Sequence, residues 1–317
     1  MKRSLVVTTA FGYTSDAVRP LAYSIHKNCP NTDLLIQTSG KDLSKLIDLQ
    51  DDLPNVRFCI IKDSPQIIKG RLALARKAVK HSMRRLRKTL QNLGCSDKIY
   101  IEERRLFQVS TSQCHFLIRR FFWARSTILE PRNADYANIM LCDCRDVIVQ
   151  KNPFTNAQNK LITGAEVNNI GACSMNSRWI LQAYDQPTLD NIAAHKILCA
   201  GVTLGSRDKI LQYLNLFCDE TTEVIRRKRT GFLPNLDQAI HNNALRKTEE
   251  LEICESSHDG LIATIGCADE GLISISPANI VTINNCLPSI IHQYDRIPWL
   301  NKRIRETYGK REANACE

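Results

Sequence analysis

Apolar positions along this chain fall into short β-like runs separated by stretches with helical spacing. Residues 4–9 form a first β-rich run, closed by the small-residue turn Ala10-Phe11-Gly12-Tyr13-Thr14. A helix is expected over 17–27 with Asp16 as N-cap, then a strand over 33–37, a helix over 43–49 and a third strand over 56–61. Strands alternating with helices predict an α/β fold whose mostly parallel sheet is covered on both faces. Farther along, the pattern predicts a helix over 114–129, strands over 136–141 and 161–167, and a short helix over 176–184 around Trp179. A β segment holding two glycines follows over 197–206, then a helix through Ile210, Leu211, Leu214 and Phe217. A polar, basic break over 226–230 precedes another helix near Asp237; two or three strands are expected over 260–283 and a basic helix from Trp299. No repeat or linker interrupts this order, so 1–317 reads as a single domain.

One helical stretch stands apart. Over 68–93 the residues Leu72, Ala75, Val79, Met83, Leu86 and Leu90 recur at steps of three and four, while Lys and Arg, without an acid, occupy the other faces. Such a helix suits an anionic membrane surface or an acidic partner, and equally the solvated face of an ordinary packed helix. No element is assigned to 98–109.

Composition narrows the class. With 43% hydrophobic and 24% charged residues the chain is globular, and no run approaches the roughly 18 apolar residues of a membrane span. The apolar residues after Met1-Lys2-Arg3 stop at Thr8, too soon for a signal-peptide core, so a cytoplasmic location, peripheral to a membrane if the basic helix docks there, is expected. A net charge of +10 calls for anionic partners: nucleotides, acidic lipid or nucleic acid. Thirteen cysteines are an odd number without a Cys-x-x-Cys pair, and several lie in apolar runs, which reads as reduced thiols and not as a disulfide framework.

The chemistry concentrates at 139–154. There an apolar run (Ile139, Met140, Leu141) delivers Asp143 and Asp146 to its end, before a second apolar run, Val147 to Val149. Buried carboxylates need a cation or fixed donors, and the carboxyl ends of strands in an open α/β sheet are where ligands bind. An Asp–Arg ion pair is the bland reading of the same residues. Two later polar clusters join them, Asp237-Gln238 and His292. Two carboxylates and an imidazole suit Mn²⁺ or Mg²⁺ better than zinc where phosphate oxygens complete the shell. Asp237 also fits a helix N-cap.

In that order the clusters resemble the GT-A-fold, metal-dependent nucleotide-sugar glycosyltransferases, particularly the glycogenin-like and galactosyltransferase-like branch. The resemblance covers most of the chain and implies a GT-A-like Rossmann-type sheet. It implies that Thr8, Thr9, Ala10, Phe11 and Tyr13 face the nucleoside and that Asp143, Asp146 and His292 hold the metal. Asp237 and Gln238 would then form the catalytic centre, with Gly201 and Gly205 beside the sugar and acceptor. The implied partners are a nucleotide-sugar donor and an acceptor hydroxyl; nucleic acid is not the expected partner. The family's two acids stand two residues apart, whereas Asp143 and Asp146 stand three apart with Arg145 between, so a turn must begin near Cys144 for both to meet one ion. Which acid binds directly is open, and Arg145 has two candidate partners, a diphosphate or Asp146.

Two other classes fit parts of the pattern. A haloacid-dehalogenase-type phosphatase also carries acids at a strand end, but needs Asp where Arg145 stands. A non-catalytic transferase-like module binding a polyanion through 68–93 would show salt-sensitive binding without donor hydrolysis.

Overall fold

The computed structural model describes residues 3–62, 114–156, 160–228, 233–257 and 259–308. The amphipathic segment expected at 68–93 and the stretch 98–109 lie outside the described residues.

Strands β1 (Ser4–Thr9), β2 (Thr32–Thr38) and β3 (Val56–Ile60) pair in parallel, and β1 pairs in parallel on its other side with β4 (Asn138–Cys142). Beyond a short β5 (Val147–Val149), β6 (Leu161–Asn169), β7 (Lys196–Ser206) and β8 (Ile253–Ser256) complete a seven-stranded sheet ordered β3-β2-β1-β4-β7-β6-β8. β7 runs antiparallel to both β4 and β6, so the sheet is mixed with a parallel half. Strands β9 (Ile262–Thr264) and β12 (Ile290–His292) join β5 in a second sheet, and β10 (Ile273–Ile275) pairs with β11 (Val281–Ile283).

Alternation along β1 divides the core. Val6 packs with Leu34, Ile36 and the inner face of α1 (Ser15–Asn28), while Leu5 and Val7 belong to the cluster on the opposite face. After the short α2 (Gly40–Leu43) and α3 (Asp48–Asp52), that opposite face is covered by α4 (Phe116–Ile128). It is covered too by α5 (Ser174–Ala183), α6 (Gln186–Ile192), α7 (Arg207–Lys228) and α8 (Asp237–Lys247). Phe121 of α4 stacks on Phe217 of α7 with ring centroids 4.0 Å apart, an aromatic pair worth about 0.5–1.5 kcal/mol beyond its burial. The last helix among the described residues, α9 (Pro298–Tyr308), buries Leu300 and Ile304 against the second sheet.

Three local expectations change. Asp16 is not the N-cap of α1: the helix begins at Ser15, whose N–H donates to the Lys45 carbonyl at 2.9 Å, and Thr14 takes the cap position. The helix expected at 43–49 is instead α2 and α3, because Ser39 caps the first through the Asp42 N–H and the chain turns before the second. The basic break at 226–230 begins later than expected, since Arg226 and Arg227 pair with Glu223 one turn back and extend α7 to Lys228. All cysteines among the described residues are free thiols, as composition led us to expect.

Candidate active site

The site is built where β1, β4 and β7 end or overrun one another. β4 stops at Cys142, and the Asp143 N–H continues its ladder by donating to the Gly201 carbonyl of β7 at 2.8 Å. The chain then bends through Cys144, Arg145 and Asp146, the turn that a three-residue spacing requires. Val147, the first residue of β5, pairs with His292 of β12, and the Gln293 N–H closes on the Asp146 carbonyl at 2.9 Å. Strand pairing thus delivers an imidazole to the second acid from far along the chain.

Asp143, Asp146 and His292 each offer a ligand atom, and these atoms all lie within 4.8 Å of one another. The His292 Nε2 stands 3.7 Å from Asp143 and 3.8 Å from Asp146, too far for hydrogen bonds, and it is buried without a partner. Its other nitrogen lies 3.5 Å from the Thr264 hydroxyl. Gly201 lines the same space: a Cβ there would come within 2.3 Å of the His292 ring and 2.8 Å of the Asp143 carboxylate. An orphaned nitrogen, two facing carboxylates and a missing side chain are the features of a cation site.

Arg120 of α4 is the second organising group. It donates to Asp143, to Asp237 at 3.1 Å and to the Ala200 carbonyl at 3.3 Å. Burial opposes the charge on Asp143, but Arg120 and His292 outweigh it and hold its carboxyl down at about 2. For Asp237 burial prevails: with Asp143 nearby it raises the carboxyl above its ordinary range, against Arg120. Asp146 is likewise raised, by burial and by Asp143, against the opposing charge of His292. Burial disfavours the imidazolium of His292, yet Cys199, Asp143 and Asp146 around it raise its basicity overall.

The end of β1 forms the neighbouring wall. Thr8 sits beside Cys142 and donates to its carbonyl at 2.8 Å; Thr9 donates to Gln37 at 3.3 Å. Ala10 is buried, with its N–H on the Gln37 carbonyl, and the Phe11 ring lies 5.1 Å from Trp123. Gly12 has φ +75°, a conformation that favours glycine, and its N–H donates to Asp42 at 3.1 Å. Burial, with Cys144 and the two acids near, pushes the Tyr13 phenol up.

Not every residue singled out in the sequence faces this space in the same way. Gly205 lies near the C-terminal end of β7, four residues beyond Gly201 at its middle, and is paired with Ile139; a Cβ there would meet the Lys160 carbonyl at 2.6 Å. Gln238 commits its whole side-chain amide to β7: Nε2 donates to the Leu198 carbonyl and Oε1 accepts from the Ala200 N–H, both at 2.9 Å. Asp237 is the first residue of α8, and Leu236 takes the N-cap position. Arg145 pairs with Asp295 at 2.8 Å and not with Asp146. Sequence reasoning missed Arg120 as a site residue. Its one signal was an Arg119-Arg120 pair in the otherwise apolar run Phe116 to Trp123.

No family model matches the chain, and no curated protein does. Among solved structures it is similar to an active-site mutant of LgtC, a GT-A glycosyltransferase. The identity is 14%, the match covers 96% of this chain and 95% of that one, and the TM-score is 0.53. The fold is GT-A-like. The mixed α/β architecture read from the sequence is therefore the observed one. No helix among the described residues is long and apolar enough to cross a membrane.

Proposed function

We propose that this protein is a divalent-metal-dependent glycosyltransferase that moves a sugar from a nucleotide-diphosphate donor to an acceptor hydroxyl. The observation that carries the reading is the convergence of Asp143, Asp146 and the orphaned His292 Nε2 at the carboxyl end of a GT-A-like sheet. The donor set is hard oxygen with one imidazole, which fits Mn²⁺ or Mg²⁺. When bound, the ion supplies Lewis-acid stabilisation of charge on the leaving nucleoside diphosphate.

The remaining work falls to the chain's own groups. Thr8 to Tyr13 form the wall for the nucleoside. Asp237, held 3.1 Å from Arg120, presents a carboxylate toward the sugar, as base or as electrostatic partner of an oxocarbenium-like centre. Arg120 keeps the half-buried Asp143 and the buried Asp237 compatible with one another before the donor arrives. Gln238 acts by position, fixing the backbone of β7 on either side of Cys199.

The test is thermal stabilisation by a panel of nucleoside diphosphates and nucleotide sugars, each with Mn²⁺ or Mg²⁺ and with EDTA. We expect marked stabilisation only with the ion. Equal stabilisation in EDTA would remove the metal from the mechanism, and none in any condition would remove the donor.

A further inference from the structure

One roomy cavity lies away from the acids. Behind Thr8, Arg120 and Ala200 only about 20 Å³ is open, room for a single water. A cavity of about 250 Å³ instead lies at the far end of α8, between that helix, α6 and α7. From Asp237 to Lys247 the α8 axis rises roughly 15 Å, so this space is distinct from the candidate active site.

Its wall is polar. Three cations, Arg227, Arg246 and Lys247, line it with a single carboxylate, Glu220, and of the lining side chains only Ile192 is aliphatic. The cations already have partners: Arg227 pairs with Glu223, Lys247 with Glu220 at 2.6 Å, and Arg246 with Glu255. Arg227 and Lys247 are about half exposed, however: the Arg227–Glu223 pair contributes little, and the Lys247 ammonium has further donors while it stays on buried Glu220, so both heads can meet a ligand anion. The floor is more telling. Tyr184 is 7% exposed, and its hydroxyl has no hydrogen-bond partner of proper geometry although Glu220 and Asn243 are its neighbours. Asn243 and Glu220, themselves buried, hydrogen-bond to each other at 2.7 Å. A buried hydroxyl left unpaired is costly, and a ligand hydroxyl or a water relieves it.

We propose that this cavity is a second ligand site, for a small polyhydroxylated anion: a sugar carrying a phosphate or a carboxylate. Hydroxyls of the ligand meet Tyr184, Asn243 and Glu220 at the floor, and its anionic group meets Arg227 and Lys247 at the rim. The volume is just under the roughly 300 Å³ at which drug-sized ligand pockets begin, which admits one monosaccharide unit. The same chemistry has two sources, a free sugar phosphate or the acidic end of a glycan.

The full-length protein is titrated by calorimetry with a hexose phosphate, glucuronate, an oligosaccharide ending in glucuronate, and uncharged glucose. We expect the anions to bind and glucose to bind far more weakly. Arg227→Gln should weaken binding about tenfold or more, the scale of one charge-assisted hydrogen bond, and Tyr184→Phe should weaken it while keeping the ring's packing. Binding of the hexose phosphate alone makes this an effector site; binding of the oligosaccharide as well makes it an acceptor subsite. No anion binding to the unaltered protein, or affinities unchanged in both variants, would overturn the proposal and leave a water-filled cleft. Metal-dependent stabilisation by nucleoside diphosphates reports separately on the transferase reading.

Discussion

At Gly201 the absence of one carbon decides what the site can hold. Alanine there would drive its Cβ into the His292 ring and against Asp143, so Gly201→Ala should fold but lose most of the extra thermal stabilisation that Mn²⁺ gives in the presence of a nucleoside diphosphate. Unchanged metal-dependent stabilisation would show that the three ligands do not act from these positions. Asp237 tests chemistry separately from binding. In Asp237→Asn the shape is kept and Arg120 retains Asp143, so donor affinity by calorimetry should persist. Turnover, followed by released nucleoside diphosphate, should fall on the order of 10² or more if the carboxylate is the base. Lost donor affinity would move Asp237 into the binding set. Both residues were visible in the sequence by type. Which atoms they touch was not, because a side chain's contacts depend on segments far away along the chain.

Among the elements, α8 and β7 depend on each other. Gln238, Asn242 and Arg246 recur at helical spacing and each meets the backbone of β7: at Leu198 and Ala200, at Leu198, and at Lys196. Asn242 alone accepts from the Leu198 N–H and donates to its carbonyl, both at 2.8 Å. This stretch of β7 overruns the end of β4, whose last residue pairs with Val202, so β4 cannot supply its hydrogen bonds. Asn242→Ala should strand the Leu198 N–H, while Gln238 still holds the Leu198 carbonyl, at a cost of about 1–3 kcal/mol, read as a drop in urea midpoint at unchanged m-value. A loss below about 0.5 kcal/mol would mean that water replaces the amide. A helix near Asp237 was legible, but not that its polar stripe faces inward. Only the overrun of β7 turns that stripe inward.

At the scale of the whole molecule, one buried neutral histidine should make acid destabilising. His241 is fully buried between the Tyr213 hydroxyl at 2.7 Å and Thr163 at 3.3 Å. Burial first, then Arg120 and Arg246, lower its basicity to about 3. The sign follows from proton binding: below the unfolded value of about 6.5 the unfolded chain takes a proton that the folded one refuses. Stability contributed by neutral His241 is thus present above that pH and is lost as pH falls toward 3, at up to about 1.4 kcal/mol per pH unit for one proton. Urea unfolding in metal-free buffer across this window should show the slope, and His241→Gln should flatten it even if it lowers stability throughout. An unchanged slope in that variant would assign the acid sensitivity to other groups.

The sequence alone determined the strand and helix runs, the acid-bearing end of β4 and the reduced thiols, because periodicity, turn residues and burial of apolar side chains are properties of short windows. It also carried the order of polar clusters that resembles a GT-A enzyme. Tertiary structure alone decided that Arg120 joins Asp143 to Asp237, the latter 117 residues from Arg120, and that Arg145 turns to Asp295. It placed His292 opposite Val147 through the pairing of β12 with β5. The physical reason is common to all three: each depends on strand register and helix docking between distant segments, and a shift of one residue in either would aim the same side chains elsewhere.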